Sequence, residues 1–102
     1  MCGIAGFFRR SATTVGDDAV LAAAVTALAH RGPDGQGLLR LAHAGLGHAR
    51  LAIIDLESGA QPMRSVGRRC AIVFNGEIYN YRELRAELAA AGFALATHSD
   101  TE

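Results

Sequence analysis

The sequence predicts an α+β domain, and three observations lead there. Two segments carry apolar residues at helical spacing, one around residues 17–30 and one over residues 77–91. Around them lie short runs of extended character. These runs are bounded by glycine-containing turns at Ala44-Gly45, Val66-Gly67 and Asn75-Gly76. The chain has 102 residues, half of them hydrophobic and a fifth charged, enough for one packed domain and no more.

Taken in order, residues 2–8 read as a strand that starts almost at the terminus, where Gly3 and Gly6 admit close approach of other backbone or of a ligand. Residues 9–16 read as a loop. Asp17 or Asp18 then caps a helix that runs to about His30, with Val20, Leu21, Ala24, Val25 and Leu28 on one face. Gly32 suits the helix end, and Pro33 prevents continuation. Residues 37–42 and 46–54 read as two strands joined through Ala44-Gly45. Residues 55–64 contain Glu57-Ser58-Gly59-Ala60-Gln61-Pro62, a loop by composition. Residues 68–74 give another strand, ended by the strong turn signal Asn75-Gly76. In the helix over residues 77–91, Tyr81, Leu84, Leu88 and Ala91 face inward and Arg82, Glu83, Arg85 and Glu87 face water, and Gly92 ends it. Residues 93–97 read as a short strand, and Ser99 or Asp100 as the N-cap of a third helix. That helix is signalled just before Thr101-Glu102, so the domain is expected to continue beyond this segment.

Charge and composition narrow the function classes. The formal net charge is zero and the basic residues are scattered, which argues against a nucleic-acid partner. No apolar run approaches the ~20 residues that span a bilayer, and nothing matches a secretory leader, so no membrane association and a cytoplasmic, reducing setting are expected. Two cysteines, Cys2 and Cys70, are too few for a disulfide framework and lack metal-ligand spacing, so no metal site is expected. Cys70 is expected to pack as a small apolar residue in a strand.

Four clusters carry candidate chemistry. In Met1-Cys2-Gly3, removal of the initiator methionine would leave Cys2 with a thiol and a free α-amine on one residue. Amines and thiols of this kind titrate close together, near ~8 and ~8.5, so one can serve as base for the other. The plain alternative is a buried cysteine in an edge strand. In His30-Arg31-Gly32-Pro33-Asp34-Gly35, a titratable ring and a guanidinium share a glycine-rich loop, although an ordinary helix C-terminus explains the same residues. Along residues 47–55, His48, Arg50, Ala52 and Ile54 share one face of a strand. An arginine among apolar neighbours calls for an anionic partner, either a ligand carboxylate or an internal acid such as Glu77 or Asp100. In Phe74-Asn75-Gly76-Glu77, the Asn75 amide and the Gly76 N–H form a pair of donors fit for a developing oxyanion, or a simple turn. Together the four describe a site for an α-amino acid whose side-chain amide is cleaved.

The segments MCGIAGFF, HRGPDG, GHARLAIIDLESGAQPM, VFNGEIYNYRELRAEL and THSDTE also carry a resemblance. The chain resembles the glutaminase domain of class II glutamine amidotransferases, N-terminal-nucleophile hydrolases, and within them the asparagine synthetase branch. The likeness runs over residues 1–102, with variable loops at residues 9–16 and 64–69. It implies a four-layer αββα sandwich, of which this segment is the N-terminal part. It implies Cys2 as nucleophile and Asn75 and Gly76 as the oxyanion hole. Arg50 would hold the glutamine α-carboxylate, and Glu77 and Asp100 the α-ammonium. The backbone of Leu51, Ala52, Ile53 and Ile54 would line the pocket, His30 and Arg31 would support it, and residues 55–63 would cover it.

The implied partners are glutamine and a C-terminal synthetase domain, absent here, that uses ATP and Mg²⁺ to convert aspartate to asparagine. No cofactor is implied for this segment, and a homodimer is compatible with the full-length form. Two other readings share these residues: the glutaminase part of another amide- or ring-forming synthetase, and an inactive glutamine-binding fragment.

Overall fold

The computed structural model describes residues 1–55 and 57–102. Its centre is a three-stranded antiparallel sheet of β1 (Gly3–Phe8), β2 (Gly35–Arg40) and β3 (Ala44–Arg50), in the order β1-β3-β2. The middle strand pairs Gly3 with Ala49 on one side and Gly37 with His48 on the other. Strand β3 therefore begins where a turn was expected. Ala44 and Gly45 belong to the ladder, and the turn lies at residues 41–43, closed by the Leu41 N–H on the Ala44 carbonyl at 2.7 Å. The strand also stops at Arg50 rather than at residue 54. Beyond it, the Asp34 carboxylate takes the Ala52 N–H at 2.8 Å, so that donor is turned away from any ladder.

Helix α1 (Val15–Ala27) crosses one face of this sheet. Its N-cap is Thr14, not an aspartate. Asp17 instead sits three residues in and accepts hydrogen bonds from the Thr14 N–H at 2.8 Å and the Thr14 hydroxyl at 3.1 Å. That is the reciprocal half of a capping box. Arg9 pairs with the other Asp17 oxygen at 2.5 Å. Leu21 and Val25 point down from the helix, and with Ala49 they make the buried core. The helix lies this close because β3 has no side chain at Gly47, where a Cβ would stand 2.4 Å from the Val25 Cγ2.

The second half of the chain is more open. Strands β4 (Met63–Arg64) and β5 (Ala71–Ile72) make a two-residue hairpin, much shorter than the strand expected over residues 68–74. Cys70 lies exposed just before β5, with its N–H on the Ser65 hydroxyl, and does not pack in a strand. Helix α2 (Tyr81–Ala90) starts after Asn80, four residues later than expected, and ends at Gly92 with φ +89°. None of its residues is buried, so the expected inward stripe is present in sequence but uncovered, with Leu84 and Leu88 each exposed.

Residues 93–97 do not form a strand. The Ala96 and Thr97 N–H groups donate to the Glu102 carboxylate instead, which uses up their pairing capacity. Ser99 opens a turn over the last residues, its hydroxyl accepting the Thr101 N–H at 3.1 Å in the manner of a cap. Among the described residues no helix is long and apolar enough to cross a membrane.

Candidate active site

Side chains alternate across β3, so Gly45 and Gly47 face α1 while His48 and Arg50 face the opposite side. Gly3 meets Leu28 of the helix layer, which puts Cys2, one residue earlier, on the same side as His48 and Arg50. A cavity of about 280 Å³ opens there, near the lower end of the range of about 300–1,000 Å³ for small-molecule sites.

Cys2 is half-buried in its wall. The Leu51 N–H donates to its sulfur at 3.3 Å, and the thiol lies 3.5 Å from the Leu51 carbonyl. The Cys2 carbonyl accepts from Arg31 Nε at 3.1 Å. Arg31 thus braces the cysteine from outside the cavity. His30 does not reach the site; its Nδ1 lies 3.1 Å from the Ala27 carbonyl at the end of α1.

Arg50 closes β3 and lines the cavity, and its Nη2 donates to the Asp55 carbonyl. Leu51, Ile53 and Ile54 line the same wall, whereas Ala52 does not, because its N–H is turned to Asp34. Asn75, Gly76 and Glu77 come to the cavity from the turn after β5. Glu77 is exposed and lies in that turn rather than at a helix start. Asp100 enters from the last segment, with its Oδ2 fixed by the Ile78 N–H at 2.9 Å.

The segment expected to cover the pocket is tied down. The Asp55 carboxylate accepts from the Ser58 hydroxyl, from the Ser58 N–H at 2.8 Å and from the His98 N–H at 2.8 Å. The Ser58 and His98 hydrogen bonds stabilise its charged form and lower its pKa to about 2. Leu56, within the same expected cover, lies outside the described residues.

His48 and Gln61 also line the cavity, and neither has an individual role in the sequence reading. His48 is only 1 % exposed, and its Nε2 lies 3.3 Å from the Phe74 carbonyl. A carbonyl only accepts, so the ring proton sits on Nε2 and Nδ1 is left as an acceptor. That Nδ1 is buried and has no hydrogen-bond partner among the described residues. Burial holds the His48 pKa below its usual value against the opposing Phe74 carbonyl, and the nearby Arg50 charge lowers it further. Gln61 accepts the Phe74 N–H at 2.6 Å and donates to the Thr101 hydroxyl at 3.1 Å. The strand periodicity placed His48 beside Arg50 on one face; nothing in the sequence signalled Gln61, whose partners lie 13 and 40 positions away.

The cavity is lined by the Arg50 guanidinium, the Glu77 and Asp100 carboxylates, the Cys2 thiol and the Asn75-Gly76 turn. That set suits a small zwitterionic ligand that also carries a group open to attack by a thiol.

Over residues 1–102 the chain matches the family described as Glutamine amidotransferase domain. It is 44 % identical over its whole length to an asparagine synthetase (glutamine-hydrolyzing) of Bacillus subtilis, strain 168, covering 16 % of that protein. It is 47 % identical over 74 % of its length to a probable asparagine synthetase (glutamine-hydrolyzing) of Dictyostelium discoideum, covering 14 % of it. Against asparagine synthetase B (glutamine-hydrolyzing) of Escherichia coli K12 the identity is 42 % over 72 % of the chain. The chain therefore spans about a sixth or less of the length of these curated relatives.

Proposed function

The chain belongs to the glutamine amidotransferase domain family, and from that premise we propose that it hydrolyses the side-chain amide of glutamine through a thioester on Cys2. The observation that carries this reading is the gathering of Cys2, Arg50, Asn75, Gly76, Glu77 and Asp100, scattered from one end of the chain to the other, around one cavity.

With Met1 removed, the α-amine of Cys2 takes the thiol proton, and the thiolate attacks the amide carbon. The oxygen that becomes negative is held by the Asn75 amide and the Gly76 N–H. Donors already in place are worth most at this step; loss of one costs about 100-fold or more in rate. The ammonium on Cys2 returns its proton to the leaving nitrogen, the C–N bond breaks and ammonia departs. The same amine then takes a proton from water. The resulting hydroxide attacks the thioester, and glutamate leaves as the thiol is re-formed.

Arg50 pairs its planar fork with the substrate α-carboxylate. Glu77 and Asp100 face the α-ammonium, and the backbone of residues 51–54 walls the pocket. Arg31 supports the site through the Cys2 carbonyl, and His30 stands behind it at the end of α1.

In this reading the segment is the N-terminal part of a four-layer αββα sandwich. Its ammonia feeds a C-terminal synthetase domain in the cytoplasm that converts aspartate to asparagine; the relatives named asparagine synthetase (glutamine-hydrolyzing) support asparagine as the product. ATP and Mg²⁺ belong to that second domain. None of the steps above uses them, and among the described residues no group of three or more His, Cys, Asp and Glu side chains could hold a metal ion.

The test uses the intact gene product. Cys2→Ala should abolish glutamine-dependent asparagine formation and leave ammonia-dependent formation in place. Glutamine hydrolysis that survives Cys2→Ala sinks the reading.

A further inference from the structure

Asn75 and Gly76 can act as donors only if the backbone leading into them is held still. The sheet does not hold it. The β5 ladder ends at Ile72, two residues before Phe74. Both backbone groups of Phe74 are instead taken by side chains from elsewhere. Its N–H donates to the Gln61 Oε1 at 2.6 Å, and its carbonyl accepts from His48 Nε2 at 3.3 Å. Those two bonds fix the plane of the peptides on either side of Phe74, and therefore the direction in which the next residues point.

The two holders are themselves anchored. His48 sits in the middle strand of the sheet, almost wholly buried. It pairs across the ladder with Gly37, and a Cβ on Gly37 would lie 1.8 Å from the Gln61 carbonyl oxygen. The missing side chain at Gly37 lets the Gln61 backbone lie against β2 in this way. The far end of the Gln61 side chain donates to the Thr101 hydroxyl at 3.1 Å, next to Asp100.

We propose that Gln61 and His48 are positioning residues for the oxyanion turn: gripping Phe74 by its N–H and C=O, they aim the Asn75 amide and Gly76 N–H at the reacting carbonyl. The inference rests on the functional reading above and deepens it. A support for oxyanion donors acts on the transition state, so its loss lowers kcat and spares substrate binding.

The experiment measures glutamine hydrolysis by the intact gene product and by its Gln61→Met and Gln61→Glu variants. Gln61→Met keeps the side-chain length and removes both hydrogen bonds. It should lower kcat about ten-fold or more with KM changed less than about two-fold. Alkylation of Cys2 by iodoacetamide, a displacement with no oxyanion, should keep its wild-type rate. Gln61→Glu retains an acceptor for Phe74 and can accept from the Thr101 hydroxyl, and should recover kcat to within about three-fold of wild type. If Gln61→Met does not fold, Thr101→Val decides. It frees only the far end of Gln61 and should lower kcat about three-fold at constant KM.

Wild-type kcat in Gln61→Met overturns the inference. So does a joint loss of kcat, KM and alkylation rate, a Gln61→Glu no faster than Gln61→Met, or, in the fallback, an unchanged Thr101→Val. A wild-type protein that does not hydrolyse glutamine overturns the functional reading itself, and is told apart because it needs no variant.

Discussion

His48 is the residue whose environment departs furthest from its chemistry. It is an ionisable ring in an almost closed space, with the Arg50 charge nearby and, among the described residues, a single carbonyl partner. Its folded pKa is lowered, so the folded protein binds fewer protons than the unfolded chain wherever the two differ. The stability this contributes is fully present above the unfolded value of about 6.5 and is lost as pH falls through the lower folded value. Denaturation followed from pH 8 to pH 5 should show stability falling below pH ~6.5. His48→Gln should flatten that slope, and an unchanged slope would remove His48 from the account. At this scale the sequence was informative about residue type and weak about role. Arg50, Asn75 and Gly76 stand out because their chemistry is costly or rare in their settings. Gln61 does not, because an amide in a loop is unremarkable until its partners are known.

Among the elements, α1 and β3 press together at Gly47. Val25 is fully buried against the bare backbone of Gly47. Val25→Ala should cost about 2 kcal/mol for the lost methyl groups and the space they leave. Gly47→Ala should cost roughly 1–3 kcal/mol by overpacking the same spot. The double variant should be less destabilised than the sum, since each change relieves the other. Urea denaturation of the four proteins measures this, and strict additivity would mean the helix and strand do not press on each other there.

The two helices were legible because apolar spacing survives in any context, and Gly92 marked the end of α2 correctly. Boundaries were less so. The Asp17 carboxylate serves Thr14, so the helix begins earlier than its acidic pair suggested. The strand over residues 93–97 reads well by composition and is absent, the Glu102 carboxylate taking the Ala96 and Thr97 N–H groups and the Leu88 carbonyl that of Phe93. A single-residue pattern cannot anticipate competition of that kind.

Across the whole molecule the burial is uneven. One face of the sheet is sealed by α1, while α2 has no buried residue and keeps Leu84, Leu88 and nearby Phe93 in contact with solvent. Local stability follows local burial. In the isolated segment, amide hydrogen exchange in α2 should therefore be faster than in the centre of α1 by about ten-fold or more, since 1.4 kcal/mol already gives that factor. Equal protection in the two helices would contradict it. The cavity draws Cys2 and Arg50 from the sheet, on the face turned away from α1, and Asn75, Glu77 and Asp100 from the more open second half of the chain.

The bond from Arg31 to the Cys2 carbonyl has a consequence for maturation. It grips the cysteine on the side that faces the rest of the chain, while the first strand begins immediately after and the sulfur rests against Leu51. Nothing in that grip involves the bond to Met1. Under the function proposed above, trimming the methionine would free the Cys2 amine while these contacts still hold the residue in place. The chain would then fold first and gain its base afterwards, by cleavage of the Met1–Cys2 peptide bond beside a thiol already facing the cavity.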